Sequence, residues 1–306
     1  MRTCAIVVTY NRKDLLRLQL EMVAKQEYMI NDYYIIDNNG NDGTDQMIRK
    51  MIPSYPINLH YIRLENNLGG AGGFSEGLKI AYQESYDWYI LMDDDGRPYD
   101  NICFLELINI ILKNQYSPDG LYFLNSLVTY DGKDLSFGLG HVDTVEECIR
   151  KSENGLYMNV VNPFNGTLLS NGLIQSIGFP NGDFFIKGDE VDYYRRALKE
   201  HAFVATVINS RYKHPKPQGM SKKKVFGKDI YIYIETPWKE YYNVRNHVYT
   251  FINLKQRKRA RLFVLNRIVN CIVCKCEKWT TLKMILRGYN DGKQGNLGAT
   301  VKPGEK

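Results

Sequence analysis

The chain has 306 residues, of which 44% are hydrophobic and 24% are charged. These values are ordinary for a globular protein and exclude wholesale disorder. Six cysteines are too few for a disulfide scaffold in a chain of this length. Residues 1–9 predict a strand rather than a signal peptide, and no stretch predicts a membrane-spanning helix. We therefore expect a soluble protein in a reducing compartment.

The net charge of +6 is unevenly distributed along the chain. Residues 254–287 contain ten basic residues and one acidic residue, so the remainder of the chain is slightly acidic. Such a basic region indicates an anionic partner. Its apolar residues recur at helical spacing, which fits core packing as well as a membrane surface. We favour an anionic membrane over nucleic acid, because aromatic residues are few and no nucleic-acid-reading motif accompanies them.

Strand and helix patterns alternate from the N-terminus to about residue 95. Strands are predicted at residues 3–9, 33–36, 59–64 and 88–92, and each is followed by a polar or glycine-rich segment. Helices are predicted after an Asn11 cap, from Thr44, and over residues 74–84. Short links between alternating strands and helices predict an α/β fold with a mostly parallel sheet flanked by helices.

The later part of the chain is less regular. Short strands and turns are predicted between residues 114 and 188, followed by a helix over 191–200 and a strand over 203–208. Beyond residue 230 the spacing predicts a helical appendage. The last residues are rich in glycine and poor in apolar groups, and we expect them to be flexible.

Three consecutive acids follow the apolar strand 88–92. Residues i and i+2 point the same way at a strand end, so Asp93 and Asp95 can converge while Asp94 points elsewhere. Two converging carboxylates without a basic neighbour favour a divalent cation, and the alternative is a solvated acidic turn. All four polar segments follow the carboxyl ends of strands, where parallel sheets bind ligands, and this favours the metal interpretation.

Other motifs remain ambiguous from the residues alone. The glycines of residues 66–73 offer backbone N–H groups to an anion or form a tight connection, and they match neither the dinucleotide fingerprint nor a P-loop. Acids at 188–192 either complement a helix dipole or supply a general base from Asp189 or Glu190. His214 is a packing residue or a metal ligand. For Cys271, Cys274 and Cys276 we favour unliganded thiols over a zinc half-site.

Five motifs in this order resemble the family-2 inverting glycosyltransferases, and most closely their galactofuranosyltransferase and rhamnosyltransferase branch. The resemblance spans about residues 3–220, and its motifs occupy residues 8–12, 37–39, 67–74, 93–95 and 188–190. It implies the A-type glycosyltransferase fold. It further implies a catalytic domain over 1–225, with a nucleotide-binding half (1–97) and an acceptor half (98–225). A basic helical region (226–290) and a flexible tail (291–306) are expected to follow.

The resemblance also implies roles for individual residues. A divalent metal ion, Mn²⁺ or Mg²⁺, is expected at Asp93, Asp95 and His214. Glu190 occupies the position of the catalytic base, where the family more commonly has aspartate, and Asp189 is the next candidate. The residues assigned to donor binding are Thr9, Arg12, Asp37, Asn67, Gly69, Gly70, Asp93 and Asp94.

We therefore expect a metal-dependent inverting glycosyltransferase that uses a nucleotide-diphosphate sugar, with galactofuranose or rhamnose favoured. Its acceptor is expected to be a hydroxyl of a growing, lipid-linked cell-surface glycan such as O-antigen or capsule. The basic region 254–287 is expected to hold the enzyme peripherally on the cytoplasmic face of the membrane.

Two other functions fit parts of the same pattern. A nucleotidyltransferase also uses a parallel sheet and a metal, but it would want glycines in the first strand–helix turn, which residues 10–12 lack. A non-catalytic nucleotide-sugar-binding protein docked on a membrane would retain the same motifs without turnover.

Overall fold

The computed structural model describes residues 1–217, 221–225, 228–274 and 276–305. Residue 226 at the predicted domain boundary and Lys275 of the basic stretch lie outside the described residues. The chain divides into two compact units, and the segments of the second are residues 69–72, 181–192 and 217–306. Residues 69–72 and 181–192 thus belong to the same unit as the C-terminal helices, whereas the prediction divided the chain after residues 225 and 290.

The first unit is built on one mixed sheet with the strand order β3-β2-β1-β4-β10-β6-β11-β5. Its first four strands are parallel to one another, β10 is antiparallel to both neighbours, and β6 and β11 are parallel. The predicted mostly parallel sheet is therefore confirmed. The strands are β1 (Thr3–Thr9), β2 (Asp32–Asp37), β3 (Asn58–Arg63), β4 (Trp88–Asp93), β5 (Arg97–Pro98), β6 (Tyr122–Thr129), β7 (Asp134–Leu139), β8 (Val142–Thr144), β9 (Leu156–Met158), β10 (Asn165–Ser170) and β11 (Phe203–Lys213).

Helices cover both faces of this sheet, as the burial of β1 illustrates. Ala5 and Val7 belong to one apolar cluster, and Ile6 and Val8 belong to the other. Each aliphatic side chain fully buried in this way contributes about 1.5–3 kcal/mol to folding. The helices in this part of the chain are α1 (Lys13–Val23), α2 (Thr44–Met51), α3 (Gly69–Tyr82), α4 (Cys103–Asn114), α5 (Val145–Lys151), α6 (Asn171–Ile177) and α7 (Asp189–Lys199).

Helix starts differ from the sequence prediction at two places. Asn11 does not cap α1, because it adopts φ 53° and its side-chain oxygen accepts the N–H of Asn41 at 2.7 Å. Arg12 occupies the cap position without a side-chain cap. The predicted helix 74–84 already starts at Gly69, so the glycine-rich segment forms its first turns.

The described residues of the second unit form three long helices, which confirm the predicted C-terminal helical region. No helix in the described ranges combines the length and apolarity needed to cross a bilayer. Within the predicted tail 291–306, α10 continues to Gln294 and the Tyr242 hydroxyl bonds both backbone groups of buried Val301. The flexibility of this tail stays a prediction. The elements are β12 (Ser221–Val225), β13 (Lys228–Ile232), α8 (Pro237–Asn253), α9 (Arg257–Val273) and α10 (Lys278–Gln294).

Cations of the basic stretch form ion pairs inside this unit, and Arg267 is the buried example; Arg287 pairs with Glu305 at 2.9 Å nearer the surface. Arg267 on α9 is buried and donates to both oxygens of buried Glu240 on α8, at 2.6 and 2.8 Å. Its charge is therefore neutralised within the fold and is not available to an anionic partner.

Removal of the Glu240 carboxylate is expected to destabilise the protein strongly. Glu240→Ala leaves a buried guanidinium uncompensated, which typically costs about 3–5 kcal/mol. Thermal unfolding of the variant should show a clearly lower Tm. The matched control is Glu76→Ala, which removes the exposed partner of Lys79 and should change stability by less than about 1 kcal/mol. Equal Tm values for both variants would contradict the expectation.

Candidate functional site

The three acids lie in a turn that follows β4 at the carboxyl edge of the parallel strands. Asp93 is the last residue of β4 and pairs in register with Val8 of β1. The amide of Gln19 on α1 donates to the carbonyls of Asp93 and Gly96, at 2.6 and 2.7 Å. Sequence reasoning missed Gln19. Its signal was available, because this polar residue falls on the buried apolar side of α1.

Asp93, Asp95 and His214 come together in the first unit. One ligand atom from each lies within 4.8 Å of the others. His214 reaches this position because β11 continues to Lys213, beyond the strand end predicted at residue 208. The backbone N–H of His214 donates to Thr129 on β6, and its carbonyl accepts from the Ser136 hydroxyl. The strand pairing therefore fixes the imidazole beside the acidic turn.

The acidic turn has a basic neighbour, contrary to the sequence interpretation. One guanidinium nitrogen of Arg12 lies 2.9 Å from Asp94 and 3.0 Å from Asp95. Asp94 is thus a buried partner of an arginine rather than part of a solvated acidic turn. Arg12 follows β1 directly, and the parallel pairing of β1 with β4 brings these residues together.

The environment separates the proton affinities of the neighbouring carboxyls. Burial raises the pKa of Asp94 to about 6, although the positive charge of Arg12 opposes this shift. Burial also acts on Asp95, but the hydrogen bond and charge of His214, together with Arg12, hold its pKa below the usual value. Burial lowers the pKa of His214, and its bond to Asp95 outweighs that effect and raises it. Asp95 is therefore a carboxylate at neutral pH.

The donor set of the cluster fits a divalent cation. Two carboxylates and one imidazole suit Mn²⁺, and carboxylates also suit Mg²⁺. Both ring nitrogens of His214 face acceptors: Nδ1 lies 2.7 Å from the carbonyl of Pro215, and Nε2 donates to Asp95, 3.0 Å away. A bound cation would displace the proton of Nε2 and take its lone pair, while Nδ1 keeps its hydrogen bond. Among the described residues, no other three His, Cys, Asp or Glu side chains approach this closely.

The predicted donor-binding residues of β1 and β2 lie at the same sheet edge. Thr9 is buried at the end of β1, opposite Asp37 in register. The two Asp37 oxygens accept the N–H of Gly40 at 2.7 Å and the hydroxyl of Tyr61 at 2.6 Å. Asn67 is exposed beyond β3. These placements leave their donor-binding role as a prediction.

The glycines of α3 serve different purposes. A Cβ at Gly73 would lie 2.3 Å from Val8, and one at Gly77 would lie 2.7 Å from Ile36, so these two glycines let α3 pack closely on β1 and β2. A Cβ at Gly70 would meet nothing within 4 Å. Some glycines of this segment therefore serve helix–sheet packing, whereas Gly70 has open space beside its backbone.

Only glycine fits at position 69, because its backbone has a positive φ and the backbone of Phe185 approaches it closely. Its φ is +70°, and a Cβ there would lie 2.0 Å from the carbonyl oxygen of Phe185. We expect Gly69→Ala to destabilise the protein by about 1–3 kcal/mol, because alanine is strained at this positive φ and its Cβ collides with the backbone of Phe185. Gly70→Ala, which meets open space, should leave Tm nearly unchanged. Comparable melting curves for both variants would contradict this packing argument.

The acidic motif at 188–190 lies in the second unit, at the start of α7. Asp189 is buried and Glu190 is partly exposed. Of these two, Glu190 is therefore the carboxylate with access to solvent. The structure places both in a different unit from the metal-type cluster.

A backbone clamp holds the segment before this motif, and sequence reasoning missed it. Phe185, Lys187 and Gly188 have φ values of 64°, 65° and 85°, which are unfavourable for residues other than glycine. Buried Arg245 and Asn246 on α8 offset this backbone strain by donating hydrogen bonds to backbone carbonyls of the segment. The bonds run from Arg245 to Asp183 and Phe184, and from Asn246 to Phe184, Ile186 and Lys187.

The fold and the matched family define the class of protein. Residues 4–128 match the family described as "Glycosyl transferase family 2". The sheet with its flanking helices is the A-type glycosyltransferase fold, which is shared with solved glycosyltransferases. Residues 4–128 are therefore similar to a family 2 glycosyltransferase domain, and the protein is a glycosyltransferase.

The chain is similar to named glycosyltransferases over most of its length. "Galactofuranosyltransferase GlfT1" of Mycobacterium tuberculosis is 29% identical over 258 residues, which cover 83% of this chain and 83% of that protein. The protein of the same name from Mycolicibacterium smegmatis is 27% identical over 253 residues, which cover 80% and 82%. A mannosyltransferase from Pyrobaculum calidifontis, in complex with GDP-Man and Mn²⁺, has a TM-score of 0.57 at 11% identity. The match covers 96% of this chain and 75% of that one.

Proposed function

We propose that the protein is a metal-dependent inverting glycosyltransferase that transfers galactofuranose from UDP-galactofuranose to a sugar hydroxyl. The observation that carries the metal dependence is the cluster of Asp93, Asp95 and His214, whose ligand atoms lie within 4.8 Å of one another. The names of the relatives support galactofuranose as the sugar. Rhamnose from dTDP-rhamnose is the alternative donor.

The metal ion and residues of the chain would together stabilise the negative charge of the leaving diphosphate. A divalent ion held by Asp93, Asp95 and His214 would act as a Lewis acid on the negative charge that develops there. Arg12 holds the turn that carries two of these ligands, through its contacts with Asp94 and Asp95. Its guanidinium is about half exposed and would add positive charge beside the diphosphate.

The second part of the proposal concerns the acceptor. Glu190 takes the proton from the acceptor hydroxyl as its oxygen attacks the anomeric carbon and the bond to the diphosphate breaks. One displacement of this kind inverts the configuration at that carbon. The partial exposure of Glu190 supports its choice over buried Asp189. We propose as acceptor a growing, lipid-linked cell-surface glycan, extended on the cytoplasmic face of the membrane.

A transfer assay tests this function. The protein is incubated with Mn²⁺, a synthetic galactofuranose- or galactose-terminated lipid acceptor, and either UDP-galactofuranose, dTDP-rhamnose or UDP-galactose. We expect transfer from UDP-galactofuranose, with inversion at the anomeric carbon, and loss of activity on chelation that Mn²⁺ restores. Failure to bind any of these donors in calorimetry, together with no transfer, would reject the proposed donor class.

The family match favours glycosyl transfer over the two alternative functions. A nucleotidyltransferase would release pyrophosphate rather than UDP, so identification of the released product separates the two reactions. A binding protein without turnover would bind the donor but neither transfer nor hydrolyse it. Slow donor hydrolysis in the absence of acceptor would exclude that alternative.

A further inference from the structure

An apolar stripe runs along the outer side of α9, in the second unit. It consists of Leu262, Leu265, Val269, Ile272 and Val273, all of which are exposed, with Leu262 at 66% and Ile272 at 62%. At about 100° per residue these five positions fall within roughly 100° of the helix circumference. The stripe is therefore one continuous surface rather than scattered exposed residues.

The stripe is not the side by which α9 packs into its own unit. The buried residues of α9 are Ala260, Val264, Arg267, Asn270 and Cys271. By helical geometry four of them lie on the side opposite the stripe, and Asn270 lies at the flank between the two sides. The stripe is thus separate from the contacts that α9 makes among the described residues of this unit. Contiguous exposed apolar surface of this kind marks a binding surface in soluble proteins.

Positive charge flanks the N-terminal end of the stripe. Residues 254–276 contain no Asp or Glu. Lys258 and Arg261 are exposed on or next to the side of α9 that carries the stripe, one to two turns towards its N-terminus. Trp279, which is 86% exposed, follows at the start of α10, and the Lys278 carbonyl contacts Cys271 near the C-terminal end of α9. Cations and an exposed tryptophan around an aliphatic face are typical of helices that lie in the headgroup region of a bilayer.

We propose that this side of α9 is the surface by which the protein docks on an anionic lipid bilayer. The aliphatic residues enter the boundary between headgroups and acyl chains, and Lys258 and Arg261 contact lipid phosphates. A second copy of the chain fits less well, because a symmetric contact through the stripe would bring the same cations together. This docking proposal depends on the proposed function in one respect: transfer to a lipid-linked acceptor gives membrane docking a use.

Vesicle flotation tests this proposal without reading activity. The full-length protein is mixed with phosphatidylcholine vesicles, or with vesicles that also contain about 30 mol% phosphatidylglycerol. We expect flotation with the anionic vesicles and little with the neutral ones, and high salt should weaken binding. Leu265→Gln/Ile272→Gln and Lys258→Glu/Arg261→Glu should each lower the partition coefficient about tenfold or more.

The matched control is Leu112→Glu/Lys113→Glu, which alters an exposed leucine and lysine on α4 and should bind like the unaltered protein. Equal binding by the control and the α9 variants, or no flotation of the unaltered protein, would overturn the proposal. A dimer in sedimentation that Leu265→Gln/Ile272→Gln converts to monomer would assign the stripe to a second copy instead. Calorimetric UDP binding by the α9 variants reports separately on the donor site.

Discussion

Replacement of Glu190 by glutamine is expected to lower kcat by about 10²–10⁴-fold while leaving donor affinity nearly unchanged. Glutamine keeps the size of the side chain but cannot accept the proton of the acceptor hydroxyl. Steady-state transfer rates and calorimetric titration with UDP measure the two effects separately. Because Glu190 is partly exposed, the substitution should not lower the Tm.

The control for this variant is Glu200→Gln, an exposed acid just beyond the end of α7, which should retain the full rate. A Glu190→Gln enzyme with an unaltered rate would move the base elsewhere, and Asp189→Asn would then be the variant to measure. Loss of donor affinity together with kcat would instead indicate that Glu190 contributes to donor binding.

The second large effect is expected for Asp95→Asn. This side chain is a proposed metal ligand, and it also bonds His214 and Arg12. The loss of one anionic ligand should weaken Mn²⁺ binding about 100-fold or more, and kcat/KM should fall about 10²–10³-fold at a fixed metal concentration. Electron paramagnetic resonance of free Mn²⁺ measures the affinity without reference to activity.

Asp14→Asn provides the control, because Asp14 is an exposed acid on α1 and should leave Mn²⁺ affinity unchanged. Raising the Mn²⁺ concentration should partly restore the activity of Asp95→Asn if the loss arises from binding. An Asp95→Asn protein that binds Mn²⁺ as tightly as the unaltered chain would show that the cluster is not the metal site.

The sequence predicted the strands of the sheet well, because their signals are local. β1 coincides with its predicted range, and β2, β3 and β4 each differ from their own predicted ranges by one residue at one or both ends. Their alternating links with helices predicted parallel pairing, and parallel pairing places the polar segments at one edge. The acidic turn was predictable for the same reason, since Asp93 follows directly from an apolar strand.

Contacts between residues distant in sequence were not predictable in the same way. Nothing near Arg12 in the sequence indicates that it pairs with Asp94 and Asp95, because the contact joins the ends of two different strands. Arg267 belongs to a basic run that looks uniformly exposed, and only the packing of α8 against α9 buries it beside Glu240. The use of Arg245 and Asn246 as carbonyl donors depends on the same helix packing.

The sequence by itself determined the positions of the first four strands, the edge at which the acids lie and the basic character of residues 254–287, because hydrophobic periodicity and composition act over short distances. The tertiary structure alone decided that Arg12 pairs with Asp94 and Asp95, that Asn11 does not cap a helix, and that Arg267 is buried in an ion pair while Lys258 and Arg261 stay exposed. These outcomes depend on strand register and helix rotation, which no local pattern fixes.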